Sequence, residues 1–125
     1  MSDSNKNTTR MINISYDRIN QISNGSAEFP IRMIELYLED FSTYLEQFID
    51  AWTGQDANEV RRMAHKMRSP AGTIEVSEIS TLLERAEGID TIASTDTLCD
   101  DLGAAYQLVE LQLVKKLNDL KKNNG

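Results

Sequence analysis

His65 is the only histidine in this chain, and it stands in "VRRMAHKMRSP" between Arg61, Arg62, Lys66 and Arg68. A neutral imidazole carries a nucleophilic ring nitrogen, and it is the side chain whose charge changes nearest to physiological pH. Nearby cations disfavour the imidazolium and so favour the neutral, nucleophilic ring. The same cations suit a doubly charged phosphoryl group, attached or in flight. That combination points to phosphoryl chemistry and sets two conditions: the ring must reach solvent, and a partner must be able to approach it. Ser69, one helical turn beyond His65, is small enough to leave room.

Other chemistries find less support. The single cysteine, Cys99, cannot form an intramolecular disulfide, which fits a reducing compartment. It lies in a leucine-spaced pattern and reads as a small buried or half-buried side chain rather than a reactive thiol. The common zinc sites need several Cys or His ligands, which this composition does not supply. No G-x-S-x-G turn accompanies His65, and no glycine-rich phosphate loop is present. An enzyme using His65 as general base has only the histidine itself in its favour.

The totals narrow the partners. Acidic residues outnumber basic ones 20 to 13, for a formal charge of −7, so the chain is not expected to bind nucleic acid. No apolar run approaches the roughly 20 residues needed to span a bilayer. The opening "MSDSNKNTTR" lacks the apolar core of a secretory signal, and a cytoplasmic protein is expected. A chain of 125 residues, 40% of them hydrophobic, can build one core without metal or disulfides.

The elements that must position His65 all read as helices. Residues 1–10 are polar and aperiodic and are expected to be a mobile tail, with a helical domain over 11–125. Ser15 would cap a short first helix carrying Tyr16, Ile19 and Ile22 on one side, stopped by "SNGS" at 23–26. The second begins near Ala27, with Pro30 in its first turn. Its apolar line, Ile34, Leu38, Phe41, Leu45, Phe48 and Trp52, alternates steps of four and three, and Tyr37 and Tyr44 widen it. Gly54 ends that helix and Asp56 caps the third, which runs from about Ala57 toward Ala71 with Gly72 as its stop. The fourth carries Val76, Ile79, Leu82, Leu83 and Ala86 and ends at Gly88. The last runs from about Thr95 to Lys121, through Leu98, Leu102, Leu108, Val109, Leu113, Leu117 and Leu120. No segment alternates with period two. The expected fold is all-α, an antiparallel four-helix bundle with a short extra N-terminal helix.

A helical wheel for the third helix separates core from surface. Val60, Met63, Ala64, Met67 and Ala71 fall within roughly 60° of one direction, and His65 points about 140° away from it. The ring is therefore displayed outward among basic neighbours. Position and charge alone still leave open an incidental histidine on a solvated, charged face.

The stretch "VRRMAHKMRSPAG", followed by a leucine-patterned helix, resembles the histidine-containing phosphotransfer (HPt) domains of bacterial multistep phosphorelays. Their usual pattern is Ala-His, any residue, Leu or Ile, Lys, Gly, then Ser or Ala; Ala64, His65, Met67 and Arg68 occupy the corresponding places. The upstream run "MIELYLEDFSTYLEQFIDAWTGQDANEVRRMAH" is also similar to the family, and the resemblance extends from about Ile12 onward. The departures are Ser69 where the family has glycine, Pro70 after it, and Glu75 at a later loop glycine.

The resemblance implies a four-helix bundle with an exposed, phosphorylatable His65. It implies Arg68 as the phosphate-stabilising cation, helped by Lys66, with Arg61, Arg62, Ser69 and Gly72 meeting the partner. The implied partners are receiver domains of a hybrid sensor kinase or response regulator, which supply the Mg²⁺. The chain then needs no cofactor of its own, and a monomer is expected. The alternatives are a module that docks receivers without accepting phosphate, and a purely structural bundle.

Overall fold

The computed structural model describes residues 11–71 and 74–124, without the side chains of 69–71 and 124. The tail expected over 1–10 and the stop expected at Gly72 lie outside the described residues. Among the described residues five helices follow in order: α1 (Asp17–Ser23), α2 (Glu28–Thr53), α3 (Ala57–Ala71), α4 (Ser77–Glu87) and α5 (Leu98–Asn124). The helix α2 packs on α3, α3 on α4, α4 on α5 and α5 back on α2, which closes a ring of four; α1 packs on α2. Short connections make sequential neighbours antiparallel. The expectation of an all-α bundle with a short extra helix holds.

The local signals act where the sequence puts them. Asp56 caps α3, its carboxylate accepting from the Glu59 amide at 3.1 Å. The α1–α2 turn uses Asn24 and Gly25 at φ 49° and 87°, left-handed backbone that Asn and Gly adopt at low cost. At the end of α2 the left-handed residue is Gln55, not Gly54. The last helix starts at Leu98, three residues later than expected, because Asp96 accepts from the Leu98 amide at 2.9 Å while its own amide bonds to the Ala93 carbonyl. Residues 95–97 are spent on that turn and cap.

Side chains from all four long helices fill the centre. Ile34, Phe41 and Phe48 of α2 meet Val60, Met63 and Met67 of α3, with Ile79, Leu83, Leu102, Val109 and Leu113 completing the core. Phe41 stacks between Tyr37 and Tyr106, with ring centroids 5.3 and 4.8 Å away. Of the first helix's expected face, Ile19 is buried and Tyr16 half-buried, but Ile22 is exposed, because α1 covers only α2. Among the described residues no charged side chain is buried, so every charge is available to the surface.

One element has no counterpart in the periodicity. Residues 11–16 form a non-helical strap that packs against the core through Ile12, Ile14 and Tyr16. Ile12 is buried, and its amide and carbonyl are both held by the Gln112 side chain, at 2.7 and 2.9 Å. Ser15 and Glu75 exchange backbone hydrogen bonds of 2.8 and 3.3 Å in an isolated antiparallel bridge. The strap thereby ties the N-terminal segment to the residues that lead into α4.

Candidate functional site

The periodicity of α3 decides where His65 goes. Val60, Met63, Ala64 and Met67 are fully buried, and the His65 side chain, on the opposite side of the helix, is 80% exposed. Alongside, α4 runs antiparallel: Arg61 reaches Ile89, just past its end, while Arg68, two turns further along α3, reaches back to Glu87. The C-terminal end of α4 thus lies beside the middle of α3, and that places a carboxylate at the histidine.

Glu87 is the residue the sequence reading missed. Its Oε1 lies 3.3 Å from His65 Nδ1, and its Oε2 accepts from Arg68 Nη1 at 2.8 Å. The Arg68 hydrogen bond holds the Glu87 carboxyl below its ordinary value of 4.5, against partial burial that pushes it up; the His65 contact lowers it further. Arg68 is raised in turn, chiefly by the same bond to Glu87. Glu87 is therefore ionised at neutral pH and can only accept hydrogen bonds. Its contact with Nδ1 requires the ring proton to sit there, which leaves the lone pair of the neutral ring on Nε2.

To the basic neighbours read from the sequence the structure adds an anion, since the Glu87 carboxylate lies against Nδ1. The signal for it was the pairing of α3 with α4: Glu87 follows the core residue Ala86 and ends α4, so it stands at the edge of that packing. A carboxylate at the negative end of a helix dipole is unfavourable by about 0.3–1 kcal/mol unless a cation offsets it. Arg68 supplies that cation.

The basic cluster read from the sequence divides into separate roles. Arg61 is half-buried and satisfied within the protein, donating to the Ile89 carbonyl at 2.5 Å and to the Asn58 side chain. Arg62 pairs with Glu59 at 2.5 Å, a contact that lowers Glu59 and raises Arg62. The Lys66 ammonium sits over the Tyr44 ring of α2, 5.5 Å from its centroid. Only Arg68, half exposed, shares a partner with His65. The Ser69 side chain and Gly72 lie outside the described residues. Cys99 is half-buried, and its thiol is pushed up by burial and by Asp100, as suits an inert side chain. Among the described residues no three potential ligands gather to hold a metal ion, and no helix is long and apolar enough to cross a membrane.

A closed helical bundle thus holds one histidine outward, with an arginine one turn away. The chain belongs to the Hpt domain family, whose model matches residues 32–121, from the first turns of α2 almost to the end of α5. Hpt domains carry out histidine phosphotransfer in phosphorelays and meet receiver domains there. No curated protein and no solved structure matches the chain significantly.

Proposed function

We propose that this chain is a phosphorelay intermediate in which His65 takes a phosphoryl group from the aspartyl phosphate of one receiver domain and passes it to the aspartate of another. The observation that carries this reading is the outward ring with Nδ1 against Glu87, which leaves Nε2 free to attack. Arg68 is one turn from His65 and can turn toward a phosphoryl group on the ring, where its guanidinium would bind two oxygens. Lys66 adds positive charge on the side of Tyr44 and favours encounter with the acidic pocket of a receiver. Arg62, also exposed, lies on the same helix; Ser69 and Gly72 belong to the docking face by the family pattern. The receiver brings the Mg²⁺, and the carrier works as a cytoplasmic monomer.

The reaction needs little from this protein beyond presentation. The aspartyl phosphate is already an activated donor, so a neutral imidazole can attack it without a base. Ser69 is the competing acceptor on the same helix, but a hydroxyl has too high a pKa to attack unaided and would give a stable ester. The test is labelling of the protein by a panel of phosphorylated receiver domains. The label should be lost in acid, survive alkali, and vanish in His65→Gln, whose exposed polar exchange costs no more than about 0.5 kcal/mol of stability. A label that survives acid, or one that persists in the variant, overturns the proposal. Receivers that bind tightly without labelling would instead make this a docking module.

A further inference from the structure

We infer that the outer side of α5 is an interface at which two copies of this chain pair, antiparallel, about a two-fold axis beside Leu108. The inference stands apart from the chemistry of His65 and starts from α5 itself, which is apolar on two sides. One line, Leu102, Val109 and Leu113, is buried in the core. A second, Asp101, Ala104, Leu108, Leu111 and Lys115, advances by alternating steps of three and four, so its members lie above one another along the helix. That is the spacing of a seam between two packed helices. Ala104 is exposed, Leu108 half-buried and Leu111 70% exposed.

The line carries both a knob and the hole for it. Where α4 packs on α5, the side chains of Ala104 and Ala105 are too short to fill the space opposite Thr81 and Leu82. A hollow of about 390 Å³ remains there, bordered also by Glu78 and Asp101. Leu82 and Ala105 are buried, so the hollow has an apolar floor, with room for a leucine side chain. Leu111 stands six residues beyond Ala105, on the open side of the same helix. When a second α5 is reversed about Leu108, Leu111 of each copy falls opposite Ala105 of the other. The exposed leucine then enters the hollow, twice over by symmetry.

The charges obey the same axis. Asp101 lies seven residues before Leu108 and Lys115 seven after it, so the reversal sets each Asp101 against the other copy's Lys115. A parallel pair would set Asp101 beside Asp101 and Lys115 beside Lys115. The antiparallel arrangement also opposes the two helix dipoles. About four turns of helix separate Asp101 from Lys115, which makes an interface at the small end of the range for specific pairs. The pair therefore forms and dissociates with concentration, and the dilute carrier is a monomer. Because α3 stands across the ring from α5, both His65 side chains stay outward in the pair, each open to a receiver.

Sedimentation of the full chain, from micromolar to millimolar concentration, tests the pairing. The wild type should pass reversibly from monomer to dimer as concentration rises. Leu111→Gln, an exposed change that should leave the helical circular dichroism intact, should weaken the dimer about a hundredfold, because two buried leucines are lost at once. Asp101→Lys and Lys115→Glu should each stop self-association, the first by setting Lys against Lys and the second by setting Asp against Glu. Mixed together, the two variants should associate again, since each charge then meets its opposite. A wild type that is monomeric throughout overturns the inference. So does a dimer that Leu111→Gln leaves unchanged, or a mixture no more associated than its separate parts. Binding of the monomer to anionic vesicles through Leu111, in place of pairing, assigns the face to a membrane and overturns it as well.

Discussion

Arg61 Nη1 donates to the Ile89 carbonyl, 28 residues away along the chain, at 2.5 Å. The bond pins the segment that follows α4 against α3, within two residues of Glu87. Arg61 thus acts first within the fold, although its charge alone suggested a role in steering partners. Arg61→Ala should cost about 1.5–3 kcal/mol, the range for a hydrogen bond that involves a charged group. Because the effect passes through the position of Glu87, any loss of phosphotransfer should be insensitive to added salt. A loss that disappears at high ionic strength, where the Debye length shrinks, would mark Arg61 as a steering charge instead.

Acid should weaken the link between α3 and α4. Arg68 holds Glu87 below the ordinary carboxylate value of 4.5, so the folded pKa is lower than the unfolded one. Stability from such a group is fully present above the unfolded value and is lost as pH falls through the folded one. The gap in urea midpoint between wild type and Glu87→Gln should therefore shrink as pH falls below about 4. A gap that persists at pH 2–3 would show that the pair contributes through shape, not charge.

The outward histidine and the helices that carry it were legible because they depend on one period. Met63, Ala64 and Met67 fix the buried side of α3, and His65 has nowhere to point but out. Glu87 was illegible for the opposite reason. Its contact with His65 joins residues 22 apart across two helices, and its place after the core residue Ala86 gains meaning only once α4 is known to pack beside α3. Likewise the strap at 11–16 offers only the brief alternation Ile12, Ile14 and Tyr16, too short to reveal what it lies against; what holds it is Gln112, a residue 100 positions away from Ile12.

That clamp makes its own prediction. Gln112 donates one bond and accepts another, so Gln112→Ala leaves both polar backbone groups of the partly enclosed Ile12 without partners. The expected cost is about 1–3 kcal/mol. Hydrogen exchange should accelerate at Ser15 and Glu75, whose mutual bonds depend on the strap staying in place, while the amides of mid-α3 keep their protection. Uniform acceleration across α3 would mean that the strap supports the whole bundle.

Gly103 offers a gain instead. It lies inside α5, and a Cβ built there meets nothing within 4 Å. Gly103→Ala should stabilise the protein by about 0.8–1 kcal/mol, the helix-propensity difference between the two residues, and raise its melting temperature without altering phosphotransfer. A fall in stability would mean that the space beside Gly103 is needed.

The last prediction concerns the aromatic stack at the centre. Tyr37 is buried between α2's neighbours, stacked on Phe41, and its hydroxyl is a buried side-chain polar atom without a hydrogen-bond partner. Burial raises its pKa well above the usual phenol value, with a smaller contribution from Tyr106, so the group stays neutral at any accessible pH. Tyr106, two rings along the same stack, differs: its hydroxyl donates to the Leu38 carbonyl at 3.2 Å. The two tyrosines should therefore respond in opposite directions to the same change. Tyr37→Phe removes a desolvated oxygen that gains nothing and should stabilise the bundle by about 1 kcal/mol, whereas Tyr106→Phe breaks a bond and should destabilise it by about as much. Urea denaturation of the two variants measures both signs. A Tyr37→Phe protein less stable than the wild type would require a partner for that hydroxyl, a bound water being the simplest.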